Sequence, residues 1–306
     1  MGAGWVGGVT RARGLLSRRV GRQGARDLAA SPLADALRQL ATTPYRRFLP
    51  PDATVAEAQR AVSATLLWHL RVLAGWQPRA GAQALRALAA GFELANVEDR
   101  LRAIGGLPVP QPYRLGALAT AWRRVERART PAELRAALAA SAWGDPGSED
   151  PATVAAALRM AAAARTAEAV PAARRWALGR AALLAARCLF VTGRPLPEAA
   201  AGHASRLLGA QAVEAGSFEE FRERLEPAAA WAVAGIPGPD GLWQAEARWW
   251  TALDRDGGDL LHGTRYGPGP LVGAVAVLSA DAWRVRAALE LAGRGGEPLE
   301  AFDALG

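Results

Sequence analysis

The chain has 306 residues, and its 37 basic and 29 acidic side chains give a formal net charge of +8. That length is enough to bury roughly three quarters of the unfolded surface, in one large domain or in two to three smaller ones. The charge permits an anionic neighbour without requiring one, and the single cysteine, Cys188, excludes an internal disulfide and fits a reducing compartment.

Hydrophobic residues make up 51% of the chain, but alanine and leucine supply much of that share. These residues favour helix, whereas the β-branched and aromatic residues that favour strands are comparatively scarce. The composition therefore predicts an all-α protein. Every basic residue is arginine and lysine is absent. Either codon bias or a preference for bidentate contacts to carboxylate or phosphate would produce this. Aromatics do not interleave with basic runs and there is no zinc-finger spacing, so nucleic acid is not expected as a partner. The opening MGAGWVGGVTRARGLLSRR has no continuous apolar core of signal-peptide length. Val6 stands where a myristoylation signal needs Ser or Thr. No run approaches the roughly 20 apolar residues that cross a bilayer, including Val272 to Leu278, so a soluble or peripheral protein is expected.

In chain order, Val9 to Leu28 reads as a basic helical hairpin or broken helix. In ASPLADALRQLATTPY, Ser31 is placed as N-cap, Pro32 as the first helical residue and Tyr45 as the close of the unit. From Val55 to Ala74 an apolar stripe runs through Ala58, Val62, Leu66, Leu70 and Leu73. Phe92 to Pro108 follows, with Phe92, Leu94, Val97, Leu101 and Ile104 mostly at helical steps. Glu93, Asn96, Glu98, Asp99, Arg100 and Arg102 are assigned to its other surface. Gly105-Gly106 and Pro108 end it, because glycine supplies a left-handed closing residue and proline prevents resumption.

Thr130 and Ser217 then open helices with Glu133 and Glu220 three residues on, the spacing of a capping box. Pro151 opens a helix through Ala169, and Pro171 opens another. Trp176 to Pro195 and Trp283 to Pro298 repeat the aromatic-led, arginine-bearing helix with a Gly-x-Pro-like break. Trp243, Trp249 and Trp250 are placed on a helix, and DRDGGDLLHGTRYGPGP after them reads as the longest loop. Cap-to-breaker stretches at Ser31–Pro108, Thr130–Pro195 and Ser217–Pro298 give three units, at 1–111, 112–197 and 198–306.

The chain offers no credible catalytic, cofactor-binding or metal-binding residues, so a non-enzymatic protein without cofactors is expected. Asp254, Asp256 and Asp259 with Gly257 and Gly258 faintly resemble a calcium loop, but Arg265 stands where the bidentate glutamate belongs. GPGPLVG fails GxGxxG by spacing, and its prolines remove amides that a phosphate cradle would need. His69, His203 and His262 lack metal spacing, and Cys188 has no histidine near it in sequence. The acid pairs Glu98-Asp99 and Glu219-Glu220 are accounted for by solvation and capping.

Three stretches together resemble the C-type subunit of V/A-type rotary ATPases, the relative of the d-type subunit of vacuolar ATPases. RARGLL followed by ADALRQLATTPY is similar to the family's opening helix and its L-x-x-T-x-Y ending. GFELANVEDRLRAIGG is similar to the family helix built around an acidic residue and an Asn-hydrophobic pair, here Glu93, Asn96 and Val97. LSADAWRVRAALELAGRGGEPLEAF is similar to its C-terminal helix, with Asp281-Ala282-Trp283 where an acidic-hydrophobic pair is usual. The resemblance implies a funnel of three pseudo-repeated helical units around a central hollow. Such a protein would couple the central-stalk shaft to the membrane proteolipid ring, for proton or sodium transport. It would be peripheral, on the cytoplasmic face of the cell membrane. Glu93, Asn96, Arg100, Arg284 and Arg286 are the partner-binding candidates on that reading. The alternative is a helical-repeat scaffold or regulator that binds acidic partners or nucleic acid; an enzyme with an unfamiliar site in the Asp254 to Pro270 segment is a third possibility.

Overall fold

Alanine- and leucine-rich segments punctuated by proline and glycine fold as helices. The computed structural model describes residues 3–263 and 266–295, and every regular element among them is helical. From the amino end, α1 (Ala3–Leu16) and α2 (Gly21–Ala29) form the broken basic helix, and α3 (Leu33–Leu40) leads into a 3-10 turn at Pro44–Phe48. The striped helix is α4 (Val55–Gly75), followed closely by α5 (Arg79–Leu88) and α6 (Ala90–Ile104). The short α7 (Trp122–Val125) and α8 (Pro131–Ala139) precede a hairpin of α9 (Pro151–Ala169) and α10 (Arg174–Ala186). Shorter pieces follow as α11 (Glu198–Leu208), α12 (Ala210–Val213), α13 (Phe218–Arg224) and α14 (Pro227–Ala230). Two long helices, α15 (Leu242–Gly263) and α16 (Pro268–Gly293), complete the described chain.

Local side-chain caps open α4, α8, α9 and α13. Thr130 and Ser217 each accept from the amide three residues on, at 3.2 Å. Their glutamates reach back one residue further than a strict capping box, to the amides of Arg129 and Gly216. The full reciprocal box is at α4, where Thr54 accepts from the Glu57 amide and the Glu57 carboxylate accepts from the Thr54 amide. Ser31 is not a cap. Pro32, extended at ψ 149°, is the N-cap of α3, and the Ser31 hydroxyl donates back to the Asp27 carbonyl in α2.

The largest departure from the sequence reading lies between Asp254 and Pro270. Residues up to Gly263 continue α15 and Pro268–Pro270 start α16, so the expected long loop is helix at both ends. Its glycines serve close packing. A Cβ on Gly257 would stand 2.8 Å from the Ala276 Cβ and 3.0 Å from the Gly273 carbonyl. A Cβ on Gly273 would meet the Gly257 carbonyl at 2.5 Å. The prolines fit the first turn of α16, where the missing N–H is no loss. That helix starts well before Trp283 and ends at Gly293; the expected breaker Pro298 and the calcium-loop position Arg265 lie outside the described residues.

Contacts gather the chain into two compact units: one takes the residues up to Ala82 and from Trp250 onward, the other Gln83–Trp249. The boundaries fall within α5 and α15 and cut across the three consecutive segments expected from the repeat. In the first unit α16 packs against α1, α2, α3 and α4. It is apolar nearly all round from Pro270 to Leu278, which suits a helix covered on every side. In the second unit the α9–α10 hairpin is flanked by α6 and α11. Leu94, Val97 and Leu101 of α6 join Val125, Leu134, Leu138, Val154 and Leu158 in one core cluster. Leu178, Leu208 and Phe221 belong to another. No helix among the described residues is long and apolar enough to cross a membrane.

Candidate partner-binding site

Steps of three and four place Glu93, Asn96 and Arg100 on one face of α6. That face is turned inward. Glu93 is 1% exposed, and its carboxylate accepts from the amides of Thr120, Ala121 and Trp122 at 2.5–2.7 Å. It thereby caps the start of α7, where exposed amides favour negative charge. Asn96, fully buried, clamps the Tyr113 backbone from both sides, donating to its carbonyl at 2.9 Å and accepting from its amide at 2.7 Å. Arg100 donates to the Ala128 carbonyl through Nε at 2.9 Å and through a second nitrogen. Glu93 and Asn96, assigned to the surface away from the apolar stripe, are instead buried and spent on the chain's own backbone.

Asp281 on α16 works in the same way within the first unit. Its carboxylate accepts from the amides of Val20 and Gly21, at 3.2 and 2.7 Å, and so caps the start of α2. The buried Tyr45 hydroxyl donates to it at 2.9 Å. Burial raises the Asp281 carboxyl above its ordinary value, against the pull of these bonds and of Arg284. The Tyr45 phenol is pushed well above its own value, first by burial and then by Asp281. Arg284, one turn on, is buried and pairs with Asp254 at 2.5 Å, while Arg286 is exposed. Of the five candidate residues, the structure places Glu93, Asn96 and Arg100 together on α6, and Arg284 and Arg286 separately on α16.

Neither models of known protein families nor curated proteins match this chain. Among the described residues no group of His, Cys, Asp and Glu could hold a metal ion. Burial raises the pKa of the half-buried Cys188 thiol, which opposes the thiolate needed for nucleophilic attack.

The ends of α6 and α10 are more open. Glu98 of α6 pairs with Arg159 of α9 at 2.6 Å, and Ala87 just before α6 accepts from Thr166 further along α9. Helix α6 thus runs antiparallel to α9, and so does α10, which returns from it; α6 and α10 run in the same sense. Gly106, at φ +79°, closes α6, with the Leu107 amide bonded to Arg102 and its own to Ala103. This double bond is a Schellman close. Helix α10 ends in a π-turn at Arg187–Val191 before Gly193. Each close leaves a large apolar side chain outside, Leu107 at 57% and Val191 at 56% exposure. Sequence reasoning found the glycine breaks but not these two side chains, nor the Thr54–Glu57 box and the Asp281 cap. The T-x-x-E spacing and an acid set in an apolar run were the available signals for the last two.

Proposed function

We propose that the chain is a non-catalytic coupling component of a V/A-type rotary ATPase, in the position of the C-type subunit, joining the rotating shaft to the proteolipid ring. The reading includes the funnel of three pseudo-repeated units, the central hollow and a peripheral place on the cytoplasmic face of the membrane. One observation carries it. Two of the helices that bear the resemblance, α6 and α16, use the same device: a buried carboxylate, Glu93 or Asp281, caps the start of another helix in its unit. A part that transmits torque needs helices fixed to one another, and buried charge-assisted bonds of this kind fix them. On this reading Glu93, Asn96, Arg100 and Arg284 hold the frame, and Arg286, Leu107 and Val191 are left to meet partners.

The test is a pull-down from detergent-solubilised membranes at about 0.3 M salt, where surface attraction is largely screened. Recovery of ring and shaft proteins is expected, reduced in a Leu107→Asp/Val191→Asp protein that keeps its helical circular dichroism. Recovery of nucleic acid or an unrelated acidic protein, with no ATPase component, would overturn the coupling role and favour a scaffold.

A further inference from the structure

Three segments of the first unit line a cavity of about 1070 Å³. Arg11 comes from α1 and Arg18 from just beyond its end, Arg46 and Arg47 come from the 3-10 turn after α3, and Trp68 and His69 come from α4. Among the described residues no carboxylate lines it. Elsewhere some arginines of this chain find acids, as Arg284 finds Asp254 and Arg135 finds Asp145. Among the described residues none of the four cavity arginines forms an ion pair; Arg11 lies over Trp76 and Arg47 over Trp68, at 5.1 and 4.0 Å from the ring centroids.

A second observation is independent of that charge. His69 is only 7% exposed, lines the cavity and makes no hydrogen bond among the described residues. Its ring nitrogens are not among the fully buried atoms that lack a partner, so they keep access to solvent and are available to a ligand. Burial, and then the charge of Arg47, lowers its pKa to about 4. At neutral pH the ring is uncharged and carries one N–H to donate.

We infer that this cavity binds a phosphate-rich small anion, with Arg11, Arg18, Arg46 and Arg47 neutralising its charge and His69 donating one hydrogen bond to a phosphate oxygen. Four like charges facing one space repel each other until an anion of comparable charge enters. The planar guanidinium fork matches phosphate oxygens two at a time. A single phosphate would leave most of the charge and volume unused, so an oligophosphate or a phosphomonoester lipid headgroup is the fitting class. A nucleobase finds no free platform on the Trp68 face that Arg47 covers. The inference does not depend on the coupling role, and the pull-down and the experiment below can fail separately.

Calorimetric titration of the whole protein with inorganic triphosphate should give saturable binding that weakens as salt rises. Sedimentation with vesicles carrying phosphatidate, against neutral vesicles, tests the headgroup source. Binding in either arm supports the site, and the stronger arm names the source. Arg46→Gln and Arg47→Gln should each weaken binding about tenfold, the worth of one charge-assisted bond, with unchanged helical circular dichroism. His69→Phe keeps the packing and removes the donor, and should weaken it several-fold. In the unaltered protein the bound anion should raise the His69 pKa, followed by NMR of the imidazole, because it offsets the charge of Arg47 that lowers it. Failure to bind triphosphate and phosphatidate alike, or equal binding by the glutamine variants, would overturn the inference. Tighter binding of a hexaglutamate peptide than of triphosphate would overturn it in favour of an acidic protein partner.

Discussion

Glu93 is the side chain that fixes the start of α7, because three consecutive amides depend on it. Removing it in Glu93→Ala leaves those donors without a charged acceptor inside the protein, at a cost of about 3 kcal/mol in urea unfolding. Glu93→Gln keeps one carbonyl oxygen and should lose less. An unchanged midpoint for Glu93→Ala would mean that water reaches the amides. His69 makes a pH-dependent contribution of opposite character. Its folded pKa, about 4, lies below the ordinary histidine value, so the unfolded chain takes up the proton first. Stability from this residue is therefore complete above about pH 6.5 and is lost as pH falls towards 4, by up to about 3 kcal/mol. Between about pH 6.5 and 5, above the ordinary carboxylate range, His69→Phe should flatten the fall. His203, also lowered by burial and by Arg206, keeps its own share. An unchanged slope would place the proton uptake elsewhere.

At the scale of elements, α15 and α16 show how two adjacent glycines of one sequence can differ in role. Gly257 faces the Gly273 backbone with no room for a methyl group, whereas Gly258 has nothing within 4 Å of where its Cβ would stand. Gly257→Ala should destabilise by about 1–3 kcal/mol, since the Gly273 carbonyl is backbone and cannot swing aside. Gly258→Ala should stabilise by about 0.5–1 kcal/mol, because alanine holds a helix better than glycine. Thermal unfolding of the pair decides it, and equal shifts would refute the close approach. The same elements show the limit of reading glycine as punctuation. Gly105-Gly106 does end α6, while Gly257-Gly258 sits inside a helix. Residue type is identical in the two places; Pro108 follows the first pair, and the backbone of a neighbouring helix meets the second.

For the whole molecule, the two units differ in how the chain supplies them. Gln83–Trp249 is continuous and contains both the cluster around Leu94, Val97 and Leu101 and the cluster around Leu178, Leu208 and Phe221. The other unit needs segments from both ends of the chain, tied by Asp281 to Val20, Gly21 and Tyr45. A fragment of residues 83–249 should therefore fold alone, with a helical circular dichroism spectrum and a cooperative thermal transition. A fragment of residues 1–82 should not, because α16 is missing from its centre. A cooperative transition in the short fragment, or none in the long one, would contradict this division.

The sequence by itself determined the helical class, the starts of α4, α8, α9 and α13 and the close of α6. These rest on 3.6-residue periodicity and on bonds spanning three to five residues, such as Thr130 to Glu133 and Leu107 to Arg102. Tertiary structure alone decided which polar residues turn inward. Glu93 reads locally as one more charge on an amphipathic helix, yet its partners lie 27 to 29 residues away, and those of Asp281 lie 236 to 261 residues away. The cationic cavity was out of reach for the same reason, since Arg11, Arg47 and His69 are ordinary on their own helices and turns and become a site only where three segments meet. Local physics fixes what each segment is, and long-range packing fixes which of its faces meets solvent.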